Sequence, residues 1–141
     1  MLDLIIRGGQ VVTPQGVGNL EIGVQDGRIA AVAHPGVLPK EAGKVIDASG
    51  KIVLPGGIEP HTHIGIPVPE QWAGRSEVIT QPPEAASRAA AFGGVTTLLD
   101  FSGELPLTAE DKVSTVPISR QLESRQAAFK GHSYTDFSFH H

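Results

Sequence analysis

Two histidines separated by one residue give the strongest chemical signal in the sequence. His61 and His63 follow a Gly-Gly pair and an acidic residue in the stretch PGGIEPHTHIGIP, residues 55–67. The chain has no cysteine, so a metal ion would have to be held by His, Asp, Glu or a modified residue. His-x-His also recurs by chance in loops, and the spacing alone leaves two interpretations open: a pair of metal ligands, or two solvated loop histidines.

The residues before the pair predict a strand that brings both rings to one side. If KIVLPGGIEPHTH, residues 51–63, leads into the mouth of a parallel sheet, His61 and His63 lie on the same side, roughly 6.5–7 Å apart along the strand. Catalytic sites in parallel α/β proteins lie at the carboxyl ends of strands, where this pair would stand. Glu59 would share that face, and one metal ion could contact both rings.

The elements that would position the pair are short strands and helices. Residues 1–54 consist of apolar runs separated by turns, and the Asp26-Gly27 pair is typical of a tight hairpin, so we expect antiparallel strands there. From about residue 52 the pattern predicts strand, helix, strand, helix and strand, with the strands near 52–58, 95–101 and 134–140. That order is typical of a parallel sheet, so the predicted fold class is α/β.

Two helical segments separate the later strands. The first, PPEAASRAAAFGG at residues 82–94, begins at a proline pair, is rich in alanine and ends at a glycine pair. The second begins at a capping Thr108, is interrupted at Pro117 and resumes at helical spacing up to Gly131. Helices in these places would form the crossovers between neighbouring parallel strands.

Composition and charge exclude several classes of function. Hydrophobic residues at 40% and charged residues at 18% are typical of a globular protein, and 141 residues suffice for one ordinary domain. The formal charge of -4, with no run of Lys or Arg, gives no electrostatic footprint for nucleic acid. Apolar runs are short, and Asp3 and Arg7 are untypical of a signal peptide, so we expect no membrane span and a cytoplasmic location.

Four segments together resemble the opening of a known enzyme family. LIIRGGQVVTP, GVQDGRIAAV, VIDASGKIVLPGGIEPHTH and AAFGGVTTLLDF are similar in order and spacing to the metal-dependent amidohydrolases of the cyclic-amide type. These are the dihydropyrimidinases, or D-hydantoinases, with allantoinases and dihydroorotases as relatives. The resemblance covers essentially the whole chain. It implies that residues 1–54 are N-terminal strands of a composite β-sandwich and that residues 55–141 begin an incomplete TIM-type (β/α)8 barrel with its first three β/α units.

The resemblance implies hydrolysis of a cyclic amide, such as a dihydropyrimidine or hydantoin ring, by a binuclear and usually zinc-containing centre. In that family a strand ending in Asp-x-His-x-His supplies two histidines to the more buried metal, which implies metal-ligand roles for His61 and His63. Glu59 stands where many relatives carry Asp, and a carboxylate there can orient a ligand histidine. The resemblance further implies two divalent ions, a small cyclic amide or imide as substrate, and a homotetrameric complete enzyme.

The loop after the pair, IGIPVPEQWAGRSE at residues 64–77, is implied to shape the substrate pocket. Ile66 and Trp72 are its candidate substrate-binding residues, with packing of the loop as an equal alternative for the tryptophan. The loop lacks the Thr-x-Asp-Asp-Phe pattern common in hydantoinases, so dihydropyrimidine, hydantoin, allantoin and dihydroorotate all stay open as substrates. Asp100 and Asp136 lie in later strands, where orienting another group is a commoner role than contacting the metal.

The rest of the family's machinery is expected beyond residue 141. It comprises a carboxylated lysine that bridges the metals, two further histidines and an aspartate that is the general acid/base, so no catalytic residue is assigned within the chain. A closed barrel needs eight strands and about 250 residues, which predicts that the sequence is the N-terminal part of an enzyme. Because its sheets would have open edges, we expect the isolated chain to be insoluble or partly unfolded. Because a catalytic zinc normally has three protein ligands, we expect this chain to bind metal weakly and to be inactive.

Two alternatives to an enzyme stay open at this point. One is a non-catalytic, dihydropyrimidinase-like scaffold or binding protein. Retention of His61 and His63 argues against it, because a scaffold needs neither. The other is a free-standing metal-binding module, which would need a complete core of its own. An open parallel sheet argues against that reading.

Overall fold

The computed structural model describes residues 1–102 and 116–140. In these ranges the chain has ten strands, arranged in three sheets, and three helices, so it is α/β as the sequence predicts. It divides into two compact units, Met1–Pro55 and Gly56–His141. The expected Thr108 cap and His141 lie outside the described residues. Within those residues, no helix combines the length and the apolar character that a membrane crossing requires.

The first unit consists of short strands in two sheets. The strands are β1 Leu4–Arg7, β2 Gln10–Thr13, β3 Gly16–Asn19, β4 Glu21–Gln25, β5 Arg28–Ala33, β6 Lys44–Asp47 and β7 Ile52–Val53. The sheet orders are β5-β4-β1-β6 and β3-β2-β7. The predicted hairpin turn between β4 and β5 is confirmed. Asp26 and Gly27 have φ values of 50° and 70°, as a two-residue turn with positive φ at both positions requires.

Two pairings in the first unit are parallel, so the expectation of antiparallel strands is wrong for them. β6 pairs with β1, and β7 pairs with β2, each in parallel register. A hairpin joins only antiparallel neighbours, whereas β6 and β7 reach β1 and β2 through longer connections that restore the chain direction. Turn residues therefore do not predict the parallel pairing of strands that are far apart in the chain.

The second unit contains a parallel sheet of three strands with helices between them. Its elements are β8 Gly57–Thr62, α1 Glu70–Ala73, α2 Pro83–Phe92, β9 Val95–Phe101, α3 Ile118–Phe129 and β10 Asp136–His140. The strand order is β10-β9-β8, and both pairings are parallel. The carboxyl ends of all three strands therefore lie at one edge of the sheet.

The strand expected at 52–58 is in fact two strands. Ile52–Val53 forms β7 in the first unit, and β8 begins only at Gly57. Pro55 lies between them and interrupts the strand, because proline has no N–H to donate to a strand ladder. Gly56 follows for a steric reason: a Cβ at this position would collide with the side chain of Thr96 on β9. The strand expected at 134–140 also begins slightly later, at Asp136.

The core of the second unit anchors the end of β8. Its buried apolar members are Ile64, Leu98 and Phe129, and partly buried side chains from α2, β9 and β10 pack against them. Ile64 directly follows His63 in the chain. The residue next to the candidate ligand is thus fixed in the core.

Candidate metal centre

His61 and His63 lie side by side at the carboxyl end of β8. Their Nε2 atoms are 3.2 Å apart, and their ring centroids are 5.1 Å apart at an interplanar angle of 85°. Thr62, the last residue of the strand, lies between them, and its hydroxyl donates to the carbonyl oxygen of Leu99 on β9 at 3.0 Å. His61 is exposed and His63 is half-buried. The structure thus brings the two predicted ligands together.

The spacing of the two Nε2 atoms fits two ligands of one metal ion. Zinc binds imidazole nitrogen at about 2.0–2.1 Å in tetrahedral geometry, which places two such nitrogens about 3.3 Å apart. The observed 3.2 Å agrees with this value, although it also fits an N–H···N bond between two neutral rings. Among the described residues no group of three or more His, Cys, Asp and Glu is arranged to hold a metal ion. The pair therefore fits part of a coordination sphere.

Phe101, the last residue of β9, packs against both histidines. Its ring stacks on that of His63, with centroids 5.1 Å apart at 22°, and meets the ring of His61 edge-on at 4.8 Å. His140 is the last residue of β10, and its ring centroid lies 5.2 Å from that of Phe101. The phenyl ring thus connects the ends of the three strands. Sequence analysis missed it, and the available signal was an aromatic residue at the carboxyl end of a predicted strand.

His61 is supported by groups at the exposed edge of the sheet. Its backbone N–H donates to Oε1 of Glu59 at 3.2 Å. The carbonyl oxygen of Pro60 lies 2.7 Å from Nε2 of His140, which can donate to it. Glu59, Pro60 and His61 are all exposed, so water competes for these contacts. Glu59, whose role the sequence left open, thus makes an exposed hydrogen bond to the backbone of His61.

The chain just after His63 is held by a buried ion pair. Nη2 of Arg125, on α3, donates to the carbonyl oxygen of Ile64 at 2.6 Å and to the carboxylate of Asp100. The side chains of Arg125 and Asp100 are only 14% and 1% exposed. Asp100 therefore binds Arg125 on the helix side of the sheet. Sequence analysis missed Arg125, because no local spacing relates it to the histidines.

The predicted substrate-binding residues lie in the loop that follows the pair. The backbone of Ile66 is hydrogen-bonded to Thr80. Its N–H lies 2.9 Å from Oγ1 of Thr80, and its carbonyl accepts from the Thr80 N–H at 2.9 Å and is 3.3 Å from the hydroxyl. Trp72 lies on the short helix α1 and is 67% exposed. At this exposure its ring contributes little to packing of the loop.

Two cavities adjoin the sheet at different places. One, of about 420 Å³, is lined by Glu59, His63 and apolar side chains of α2 and β9, a size that suits a small ligand. The other, of about 360 Å³, is lined by Asp136 and by Val95 at the amino end of β9. Asp136 begins β10, about 13 Å along the strand from its last residue. It is therefore separate from the candidate metal centre.

Comparison with known proteins finds similar chains along nearly the whole sequence. The chain is 36% identical to the D-hydantoinase of Streptomyces coelicolor in an alignment 141 residues long, which covers 96% of this chain and 27% of that protein. It is 39% identical to the allantoinase of Salmonella choleraesuis over 109 residues, 77% of this chain and 22% of that protein. The chain belongs to the hydantoinase and allantoinase family. It spans about a quarter of the length of these relatives.

Solved structures support this family membership. The crystal structure of a D-hydantoinase matches with a TM-score of 0.79 and 33% identity, over 99% of this chain and 27% of that chain. No protein-family model matches the sequence. The resemblance to hydantoinases and allantoinases found in the sequence is thus confirmed.

Proposed function

We propose that the chain supplies two metal ligands, His61 and His63, to a metal-dependent hydrolase that opens a cyclic amide ring. The observation that carries this proposal is the 3.2 Å spacing of the two Nε2 atoms at the carboxyl end of a parallel strand. Membership of the hydantoinase and allantoinase family supports hydrolysis of a cyclic amide as the reaction class. His61 and His63 would hold a divalent ion, which we take to be one of two zinc ions and which would supply a Lewis acid for the scissile carbonyl and for the activation of water.

The residues around the pair have distinct parts in this proposal. His61 and His63 bring their Nε2 atoms within 3.2 Å of each other, and Phe101 packs against both rings. Ile66 and Trp72 would contact the substituent of a small cyclic amide or imide. They lie in the loop directly after the ligands, and the exposed indole of Trp72 is free of tight packing.

We propose a larger architecture around the two units. Residues 1–54 would form the N-terminal strands of a composite β-sandwich, and residues 55–141 the first three β/α units of a TIM-type (β/α)8 barrel. The parallel order β10-β9-β8 with intervening helices supports this, as does the coverage of 27% of a D-hydantoinase chain. The bridging lysine, two further histidines and the general acid/base aspartate would then lie in the rest of a longer polypeptide. We propose that the complete enzyme is a homotetramer.

The test uses the polypeptide as its source organism produces it, because we expect the 141 residues alone to aggregate. Its intact mass, its metal content and its rates of opening the rings of hydantoin, dihydropyrimidine, allantoin and dihydroorotate are measured. We expect a mass several times 14.8 kDa, bound divalent metal and ring-opening activity. A variant with His61→Ala and His63→Ala should lose at least about 100-fold in metal affinity and activity, since it loses ligands rather than their supports.

The matched control replaces two other histidines. His34 and His132 are exposed, so alanine at both positions should leave metal content and activity unchanged. Full metal retention after loss of His61 and His63 would contradict their proposed role as ligands. Metal binding without any ring opening would contradict the enzymatic role and favour a scaffold.

A further inference from the structure

Asp100 and Arg125 form a buried pair that reaches the backbone beside a candidate ligand. Nη2 of Arg125 is shared between the Asp100 carboxylate and the carbonyl oxygen of Ile64, the residue after His63. Arg125 comes from α3 and Asp100 from β9, so the contact joins three elements at one carbonyl group. The guanidinium carbon also lies 5.3 Å from the centroid of the Phe129 ring, which further restricts it.

Stability alone is a poor explanation for this pair. Burying two charges carries a desolvation cost that their attraction often fails to offset, and apolar residues of similar volume are often as stable. Oδ1 of Asp100 and Nε of Arg125 are buried and have no hydrogen-bond partner among the described residues, so the pair is incompletely satisfied. An apolar pair could not, however, supply the hydrogen bond of 2.6 Å to the Ile64 carbonyl.

The ring of His63 shows why a backbone restraint is needed. Histidines that bind metal usually donate their second ring nitrogen to a carboxylate, carbonyl or water, which fixes the ring. Nδ1 of His63 is buried and has no such partner among the described residues. The orientation of the ring then depends on Phe101 stacking and on the position of its own backbone. Ile64 sets that backbone position, because it is the next residue and its carbonyl is held.

We propose that Asp100 and Arg125 are positioning residues for His63. Asp100 orients the guanidinium, the guanidinium holds the Ile64 carbonyl, and the held backbone keeps Nε2 of His63 beside Nε2 of His61. This inference rests on the proposed function, because it requires His63 to be a metal ligand. It goes beyond that function, because it assigns the positioning of His63 to an ion pair on the opposite, helix-facing side of the sheet.

The test replaces the pair by apolar residues in the polypeptide as its source produces it. Asp100→Leu with Arg125→Met keeps the volume but removes the donor to Ile64. Binding of Co²⁺ is followed by its visible absorption spectrum, and thermal unfolding is measured without metal. We expect an unfolding temperature close to that of the wild type, a loss of Co²⁺ affinity of about 10–100-fold, and a changed spectrum.

Two single variants complete the design. Arg125→Lys keeps the charge but replaces the planar guanidinium by a compact ammonium on a flexible stem, which should hold the two acceptors of Nη2 less firmly. We therefore expect a smaller loss of affinity with the same direction of spectral change. Arg120→Met is the matched control, because Arg120 lies on the same helix in an exposed pair with Glu123. It should leave the affinity and the spectrum unchanged. If the double variant does not fold, Arg125→Lys against Arg120→Met decides the question.

The outcomes separate this inference from the proposed function. Wild-type Co²⁺ affinity and spectrum in the folded double variant, or in Arg125→Lys, would overturn the positioning role while leaving His63 as a ligand. Wild-type binding after His63→Ala would overturn the proposed function and the inference with it. Weakened binding with a changed spectrum, at an unfolding temperature that is maintained, would support the positioning role.

Discussion

The two candidate ligands are only two residues apart, yet different parts of the structure hold them. His61 is exposed, and its backbone N–H donates to Glu59. His140 contacts the neighbouring carbonyl of Pro60, and both contacts are exposed at the carboxyl end of the sheet. His63 is half-buried, and its successor Ile64 belongs to the core and accepts a hydrogen bond from Arg125. Exposed contacts contribute little because water replaces them, whereas buried polar contacts are costly to lose. The contacts that hold the two candidate ligands are thus buried beside His63 and exposed beside His61.

The largest predicted effect concerns Phe129, the core residue that supports Arg125 and, through it, the backbone after His63. Phe129 is fully buried and lies beneath the guanidinium of Arg125. Phe129→Ala should lower the free energy of unfolding by about 3–5 kcal/mol, because it removes a large side chain and leaves a cavity. Denaturant unfolding of the metal-free polypeptide measures this loss.

Phe92→Ala is the matched control for that variant. Phe92 is 86% exposed at the end of α2, so its removal should change the free energy of unfolding by less than about 0.5 kcal/mol. If the two substitutions lowered the free energy of unfolding by similar amounts, Phe129 would not stabilise the fold more than an exposed phenylalanine does.

A change at Phe101 tests what the two histidines share. Phe101→Leu keeps an apolar side chain but removes the ring contacts to His61 and His63. Aromatic contacts of this kind contribute about 0.5–1.5 kcal/mol, so the affinity for Co²⁺ should fall between about two-fold and ten-fold. Competition with a chelator of known affinity measures the change.

The control for Phe101 is another aromatic residue of the same unit. Tyr134 is 63% exposed and lies at the other end of the sheet, just before β10, so Tyr134→Leu should leave the affinity unchanged. An unchanged affinity in Phe101→Leu would show that the phenyl ring only fills space between the strands.

Local patterns predicted those parts of the molecule that local sequence determines. The Asp26-Gly27 turn, the alanine-rich helix α2 and the strand β9 all follow from turn residues, capping or a short apolar run. The sequence also predicted that His61 and His63 share a side, as residues two apart in extended chain do. In the structure β8 ends at Thr62, so His63 is the first residue after the strand. In each case the deciding residues are neighbours in the chain.

The features that sequence analysis missed depend on residues far apart in the chain. The contact from Arg125 to Ile64 spans 61 residues, and no periodicity links a helix surface to that carbonyl. The parallel returns of β6 and β7 likewise depend on where the chain comes back, which turn signals do not encode. The misplaced strand start is different, because Pro55 was visible in the sequence and already argues against an uninterrupted strand.

The smallest predicted effect concerns Glu59, on the side of His61. Its carboxylate accepts the His61 N–H at 3.2 Å in an exposed position, where water can take its place. Glu59→Ala should therefore change Co²⁺ affinity by less than about two-fold, against the 10–100-fold expected from removing the pair behind His63. Glu59→Gln, which retains an acceptor, serves as the matched variant in the same titration. A loss of ten-fold or more in Glu59→Ala, restored in Glu59→Gln, would mean that His61 is fixed as firmly as His63. The acceptor oxygen of residue 59 would then be an essential support of His61, and the difference between the two histidines would disappear.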